Sequence, residues 1–312
     1  MLTRLLEILV CPACLPREIG LELSVFEQQG DDVALGRLDC PACGQAYPIE
    51  DGLASLLPPQ GHAPDAQSKY EQPRVTASYL WSHFADLRAA PESTAAHEAL
   101  AAMFPQARAE NELALDAGCA VGRMAFELAA KGYFAVGLDL SRAFAVAARD
   151  LARLRRLDYD EPVEGEITVG RTVALPERFP PGRAEFIQAS VLAPPFRAGV
   201  FAALASCNIL DKVPEPLSHL LELSRLAAPG AALVFADPFS WSEDCAPKHR
   251  WLGGTASATY DCRGIVNVGA ILSGQGWRVD RDGFVWWKIR NHENHYELIR
   301  SLTLRATKQD AS

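Results

Sequence analysis

From residue 112 onward, short apolar runs alternate with stretches of helical periodicity. Residues 113–116, 134–138, 185–189, 200–206 and 232–236 have the length of strands and little polar alternation, and helical stretches at 124–130 and 217–226 fall between them. Strands buried on both faces and separated by helices predict an α/β fold with a doubly wound parallel sheet. Ala228-Pro229-Gly230 predicts a turn before the fifth strand, and 284–289 with 297–306 predict a closing antiparallel hairpin joined through 290–296. Nearer the start, 21–26 and 33–38 read as short strands split by Gln29-Gly30-Asp31-Asp32. The turn-rich residues 58–64 read as a linker, followed by helices over 78–87 and 93–104. In the first of these helices Leu80, Phe84 and Leu87 form a packing stripe with Trp81 beside it, while Tyr79 and His83 share a neighbouring face; the helix either packs on the sheet or roofs a pocket. Residues 164–175 alternate like an inserted hairpin, a lid or an oligomer contact. The expected division is a small domain over 1–58, a linker and helical cap over 59–111, and the main domain over 112–307.

The length, 312 residues, suits about two domains. With 49% hydrophobic and 22% charged residues the chain buries a sizeable core, which excludes general disorder. No run approaches the ~18–20 apolar residues of a membrane span, and the leading apolar run over 5–10 is too short for a signal peptide. A net charge of −9 gives no overall attraction to phosphate, so nucleic-acid binding would need a local basic patch.

Four of the eight cysteines form one repeated knuckle, Cys11-Pro12-Ala13-Cys14 and Cys40-Pro41-Ala42-Cys43. Two such turns complete a closed tetrahedral Cys₄ site, so a structural Zn²⁺ in a zinc ribbon is expected; redox dithiols or two local disulfides are the alternatives. Cys119, Cys207, Cys245 and Cys262 lack metal-ligand spacing, and the pattern suits a reducing, cytoplasmic compartment. Leu9-Val10-Cys11-Pro12, Leu38-Asp39-Cys40-Pro41-Ala42-Cys43, Tyr47-Pro48-Ile49-Glu50-Asp51-Gly52 and Leu56-Leu57-Pro58 resemble the small zinc-ribbon proteins that activate tRNA methyltransferases. That family works in trans; the resemblance implies its fusion in cis here, in a stabilising, regulatory or partner-binding role.

The first strand of the main domain ends in Asp116-Ala117-Gly118-Cys119-Ala120-Val121-Gly122-Arg123, and the second ends in Asp139. A glycine turn lets the backbone approach a ligand, and an acid at the next strand tip accepts ribose hydroxyls. The spacing is not the GxGxxG of dinucleotide sites. It resembles motif I of the seven-stranded S-adenosylmethionine (SAM) methyltransferases. The resemblance implies a seven-stranded Rossmann-like sheet with SAM as cofactor, the glycines at the methionine portion, Asp139 with Leu140 at the ribose, and Ser190-Val191 at the adenine. Asp116, Gly118, Cys119, Gly122, Arg123 and Ser206 complete the implied cofactor set. Ser190 stands where most members carry Asp.

Leu115-Asp116, Phe126-Glu127-Leu128-Ala129, Asn208-Ile209-Leu210-Asp211-Lys212-Val213, Asp237-Pro238-Phe239-Ser240-Trp241 and Trp251-Leu252-Gly253-Gly254 resemble the C-terminal methyltransferase domain of ovothiol synthase. Asn208-Ile209-Leu210-Asp211 also looks like a segment of the protein-histidine N-methyltransferases in which the Asn contacts the acceptor imidazole. The resemblance implies N-methylation of an imidazole in a histidine-derived small molecule or a histidine side chain. Asn208 would orient the ring and Asp211 would accept its N–H; alternatively Asp211 caps the next helix or pairs with Lys212 or Arg225. Trp81, Trp241 and Trp251 are candidates to stack on a flat acceptor or simply to pack, and Arg250 is either a carboxylate clamp or part of a solvated Lys248-His249-Arg250 face. His292, Glu293 and His295 read as a surface turn, with metal binding the lesser alternative. An RNA methyltransferase and a non-catalytic SAM-binding module are the competing readings.

Overall fold

The computed structural model describes residues 1–59, 68–256 and 259–310, so residues 60–64 of the expected linker lie outside the described residues. The N-terminal segment forms an antiparallel run of four strands, β1 (Glu22–Gln29), β2 (Asp32–Asp39), β3 (Ala46–Glu50) and β4 (Leu53–Leu56). The main domain supplies β5 (Leu113–Ala117), β6 (Phe134–Asp139), β9 (Ala184–Ala189), β10 (Phe201–Cys207), β11 (Ala227–Asp237), β12 (Trp277–His292) and β13 (His295–Lys308), while β7 (Arg156–Glu164) and β8 (Ile167–Ala174) pair as a separate hairpin. Its seven strands stand in the order β9-β6-β5-β10-β11-β13-β12, parallel except for β13, which runs antiparallel to both neighbours. This is the α/β methyltransferase fold, with a mixed sheet.

The two sets of strands make one eleven-stranded sheet. Ser55 and Leu56 of β4 pair in parallel with Gln188 and Ala189 of β9. The alternation of side chains across the strands explains how the two cores form. On β6, Phe134, Val136 and Leu138 face one way and Ala135 the other; on β11, Leu233 and Phe235 oppose Ala232, Val234 and Ala236. The bulkier face packs against α5 (Pro216–Leu226) and α6 (Gly264–Gly274), and its apolar cluster continues into Leu5, Leu38, Tyr47 and Ile49 of the N-terminal segment. The alanine-rich face admits closer helices, α1 (Pro73–Phe84), α2 (Ala96–Ala101), α3 (Arg123–Ala130) and α4 (Arg142–Leu154).

Several boundaries differ from those expected. The first cap helix begins at Pro73, where the missing N–H costs nothing, and the second shrinks to six residues. Ala228-Pro229-Gly230 is not a turn but part of β11, where the register to β10 jumps from Phe201↔Ala227 to Ala203↔Ala232. The closing hairpin is much longer than its two apolar runs: β12 and β13 meet at Glu293-Asn294, so most of 290–296 is strand. The inserted hairpin gains residues 156–164 as its first strand. Glu161 of β7 is buried and takes Arg88 at 2.8 Å, Arg290 at 3.4 Å and Arg171 at 3.6 Å, which binds this hairpin to the cap and to β12. Among the described residues no helix is long and apolar enough to cross a membrane.

Candidate active site and metal centre

The four knuckle cysteines come together because β2 and β3 pair through Asp39↔Ala46, folding the second knuckle back toward the first. Gly44 turns that knuckle with φ +72° and donates its N–H to the Cys40 carbonyl. The sulfurs of Cys11, Cys14, Cys40 and Cys43 all lie within 4.8 Å of one another, with Cys11–Cys43 and Cys14–Cys40 at 3.7 Å. Zn–S bonds of about 2.3 Å in a tetrahedron place sulfurs about 3.8 Å apart, so the spacing fits Zn²⁺. The chemistry fits too, with four soft ligands, three of them buried and no open position for water. Among the described residues no other group of His, Cys, Asp and Glu has metal-ligand proximity, and His292, Glu293 and His295 form none.

At the carboxyl ends of the central strands lies a cavity of about 590 Å³. It lies where open α/β sheets bind their ligands and within the usual volume of small-molecule sites. Eight of the expected residues line it: Asp116, Gly118 and Cys119 after β5, Asp139 and Leu140 after β6, Ser190 and Val191 after β9, and Asn208 after β10. Gly118 has φ +76°, and a Cβ there would stand 2.9 Å from the Ile209 side chain, so the turn closes tightly over the floor. Asp116 accepts the Ala125 N–H at 3.0 Å, and burial pushes its carboxyl up to about 7. Asp139 accepts the N–H groups of Ala120 at 2.8 Å and Ser141 at 2.9 Å. Burial nonetheless raises it to about 6, opposed by those N–H groups and assisted by Glu71. Each Asp139 oxygen has a second lone pair for a ribose hydroxyl. The strand-tip carboxylates, the bare turn and the mixed polar and apolar walls fit SAM.

Asn208 sits at φ +56°, a left-handed conformation Asn tolerates better than most residues, and its N–H donates to the Ala236 carbonyl at 2.7 Å. The Ser301 hydroxyl of β13 donates to Asn208 Oδ1 at 2.5 Å, fixing the side-chain orientation at the cavity wall.

The other expected residues stand elsewhere. Gly122 packs: a Cβ would come within 2.6 Å of the Phe186 ring. Arg123 is fully buried, bonded to Asp86 at 2.7 and 2.9 Å and to Glu127 at 2.8 and 3.0 Å, and anchors the end of α1 through the His83 carbonyl. Ser206 meets His219 Nε2 at 2.8 Å inside the core, where burial lowers the imidazole to about 4. Asp211 does not reach the cavity. It lies 3.0 Å from Lys212 and accepts the Ser240 N–H at 2.7 Å, tying down the loop after β11. Trp81 packs on Tyr296, and Trp241 stacks on Trp251 at 6.2 Å and 12°, with the Trp251 indole donating to the Ala246 carbonyl. Arg250 pairs with Glu215 on the surface. Asp211 takes the Lys212 partner that the sequence offered as an alternative, whereas Asp86, His219, Tyr296 and Glu215 reach their partners only in the folded chain.

The cavity is also lined by Tyr79 and His83 of α1 and by residues the sequence did not single out, chiefly Tyr70, His97 and Trp287. The four-residue spacing of Tyr79 and His83 was the available signal; Trp287 and His97 reach the wall only through tertiary packing, their rings 4.8 Å apart and perpendicular.

Residues 3–52 match the family of Trm112p-like proteins, and residues 115–235 match a methyltransferase domain family. No curated protein matches. Similar solved structures include a SAM-dependent methyltransferase from Methanosarcina mazei, 19% identical over 65% of this chain and 95% of that one, with a TM-score of 0.43. A SAM-dependent methyltransferase from Aquifex aeolicus is 15% identical over 80% and 99%, with a TM-score of 0.43. The complex between the Haloferax volcanii Trm112 methyltransferase activator and a methyltransferase is 15% identical over 80% and 96%, with a TM-score of 0.45. The chain carries a SAM-dependent methyltransferase domain of α/β fold, preceded by a Trm112p-like segment that gathers four cysteines suited to a structural zinc ion.

Proposed function

We propose that the enzyme methylates a ring nitrogen of a small imidazole-bearing acceptor, of the kind the ovothiol-synthase resemblance implies, in a reducing cytoplasm. SAM supplies a methyl group on a sulfonium, ready for in-line displacement. In this reading Asp116, Gly118, Cys119, Asp139, Leu140, Ser190 and Val191 hold it, and residues 1–58 act as a supporting zinc ribbon. The protein's main task is then to hold one lone pair about 3–3.5 Å from the methyl carbon, in line with the breaking bond.

The observation that carries the reading is the Ser301–Asn208 hydrogen bond at the cavity wall. Ser301 occupies one lone pair of Asn208 Oδ1; the other can accept an imidazole N–H. That fixes the tautomer, so the opposite ring nitrogen keeps its lone pair for attack. Neutral imidazole is nucleophilic as it stands, and the imidazolium produced can release its proton to solvent. Asp211 is not needed in this scheme, consistent with its place outside the cavity.

The Trm112p-like match favours a second reading, methylation of RNA. The net charge of −9 favours the first. Incubation with labelled SAM and a panel of histidine, thiohistidines, histidine peptides and tRNA separates them. Asn208→Ala is expected to keep SAM affinity within about twofold while lowering methyl transfer to imidazoles by about 10²-fold or more. Label on tRNA alone, or undiminished turnover in the variant, would contradict the assignment.

A further inference from the structure

One edge of the sheet is guarded along part of its length and bare along the rest. β12 ends the eleven-stranded sheet, and among the described residues β13 is its one strand partner, so its outer backbone groups are left without a ladder. Free edges invite pairing with another chain unless charges or a bulge blunt them. The first part of β12 has both: Arg278, Asp280, Arg281 and Asp282 line it, and the register to β13 slips between Val279 and Arg281. Residues 283–287, Gly-Phe-Val-Trp-Trp, carry no charge and are rich in strand-forming side chains. Phe284 is 51% exposed and Trp286 45%, their rings 6.4 Å apart and nearly perpendicular. On β13, Arg300 lies 4.0 Å over the Phe284 ring, and Leu298, opposite Lys288, is 60% exposed. An unguarded apolar stretch on a free edge is where a further strand adds.

The order of residues around this stretch says which strand fits. With a two-fold axis at Val285, an antiparallel second copy of β12 sets Phe284 opposite Trp286 and Asp282 opposite Lys288, each pair occurring twice. Asp282, Phe284, Trp286 and Lys288 alternate onto one face, so these pairs meet side by side. Aromatic pairs and opposite charges directly across stabilise antiparallel strands, and like charges there destabilise them. Both charges are free to pair. Asp280 is taken by Arg278 and Arg305, while Asp282 and Lys288 have no ion pair among the described residues, the Lys288 ammonium resting 5.6 Å over the Tyr296 ring. Moving the axis by one residue sets Asp282 against Trp286 or Phe284 against Lys288 and loses the match.

We propose that residues 282–288 of β12 form the interface of a two-fold homodimer in which the sheet continues from one copy into the other. Trp287 and Ile289 alternate to the opposite face and line the cavity, so the interface backs the wall of the site. The proposal is independent of which acceptor that site takes.

Analytical ultracentrifugation of the full chain is the test. The wild type is expected to be a dimer with a dissociation constant of about 10 μM or tighter. Asp282→Lys and Lys288→Asp each set like charges opposite one another twice and are expected to weaken the dimer at least about tenfold; the two combined restore it to within about threefold of wild type. Trp286→Ser is expected to leave a monomer whose far-ultraviolet circular dichroism is unchanged. A wild type that stays monomeric at about 100 μM, which needs no variant, overturns the proposal. So does assembly that grows past the dimer with concentration, a folded Trp286→Ser as dimeric as wild type, or a double charge swap no tighter than the single ones.

Discussion

Two carboxylates at adjacent strand tips give the site a dependence on pH. Burial raises Asp139 to about 6 and Asp116 to about 7, both well above the ordinary aspartate value of 3.8. A raised acid favours its protonated form in the folded protein. Its contribution to stability is therefore present below about pH 4 and is lost as the pH climbs through 6 to 7. Cofactor affinity should run the other way, because ribose hydroxyls donate to the anion. SAM affinity, followed by calorimetry from pH 8 to pH 5, is expected to weaken below about pH 6 by up to roughly tenfold per unit. Asp139→Asn should weaken binding throughout and remove the step near 6; an unchanged profile would take Asp139 off the ribose. Asp116, Asp139 and Asn208 were legible in the sequence because each is a polar residue closing an apolar run, and strand tips in this fold face the ligand. Arg123 was not, since its neighbours in sequence show a glycine turn but conceal Asp86, which reaches it only once the cap is folded.

At the scale of the element, the turn between β5 and α3 depends on Gly122. It adopts φ +86°, and a Cβ would meet the Phe186 ring at 2.6 Å and the Ala148 Cβ at 3.0 Å. Phe186 is fully buried on β9, so it has no room to retreat. Gly122→Ala is expected to destabilise the protein by about 2–4 kcal/mol, combining left-handed strain with overpacking. Gly118→Ala should cost less, because it meets only the partly buried Ile209 side chain. Thermal or denaturant unfolding of the two variants side by side checks the order, and equal stability of the Gly122 variant with wild type would refute the packing role. The inner strands announced themselves because burial on both faces makes them uniformly apolar. The outer hairpin showed only its two apolar runs: β12 carries Arg290 pointing inward to Glu161, and β13 holds Ser301 and Thr303 within the fold, so polar residues masked the full length of the two strands. The start of α1 was obscured for the opposite reason, as Pro73 reads as a break yet serves as the first helical residue.

Across the whole molecule, the joining of the two sets of strands decides how the metal centre bears on catalysis. Nothing in the four residues Leu-Ala-Ser-Leu of β4 marks them as the partner of a strand more than a hundred residues later, so this junction was invisible in sequence. It nevertheless leads to the cofactor site. The Ser55 hydroxyl donates to Gln188 Oε1 at 2.7 Å, and Gln188 Nε2 donates to the Leu140 carbonyl at 3.0 Å, beside Asp139 on the cavity wall. The N-terminal segment has little core of its own, and metal binding should supply much of its folding free energy. Removing zinc with a chelator, or with Cys14→Ser, is therefore expected to lower the melting temperature and to weaken SAM binding together, as β4 leaves the edge of β9. Gln188→Leu separates the two effects. It keeps the four cysteines and most of the packing, loses two hydrogen bonds worth about 1 kcal/mol each, and should weaken SAM binding with one zinc still bound. Metal analysis, differential scanning calorimetry and SAM titration on the three proteins read this out. A metal-free protein that holds SAM as tightly as before would mean that β4 supports the sheet without reaching the site, whereas coupled loss in both variants makes the Ser55–Gln188–Leu140 chain the path by which a distant metal centre sets the cofactor pocket.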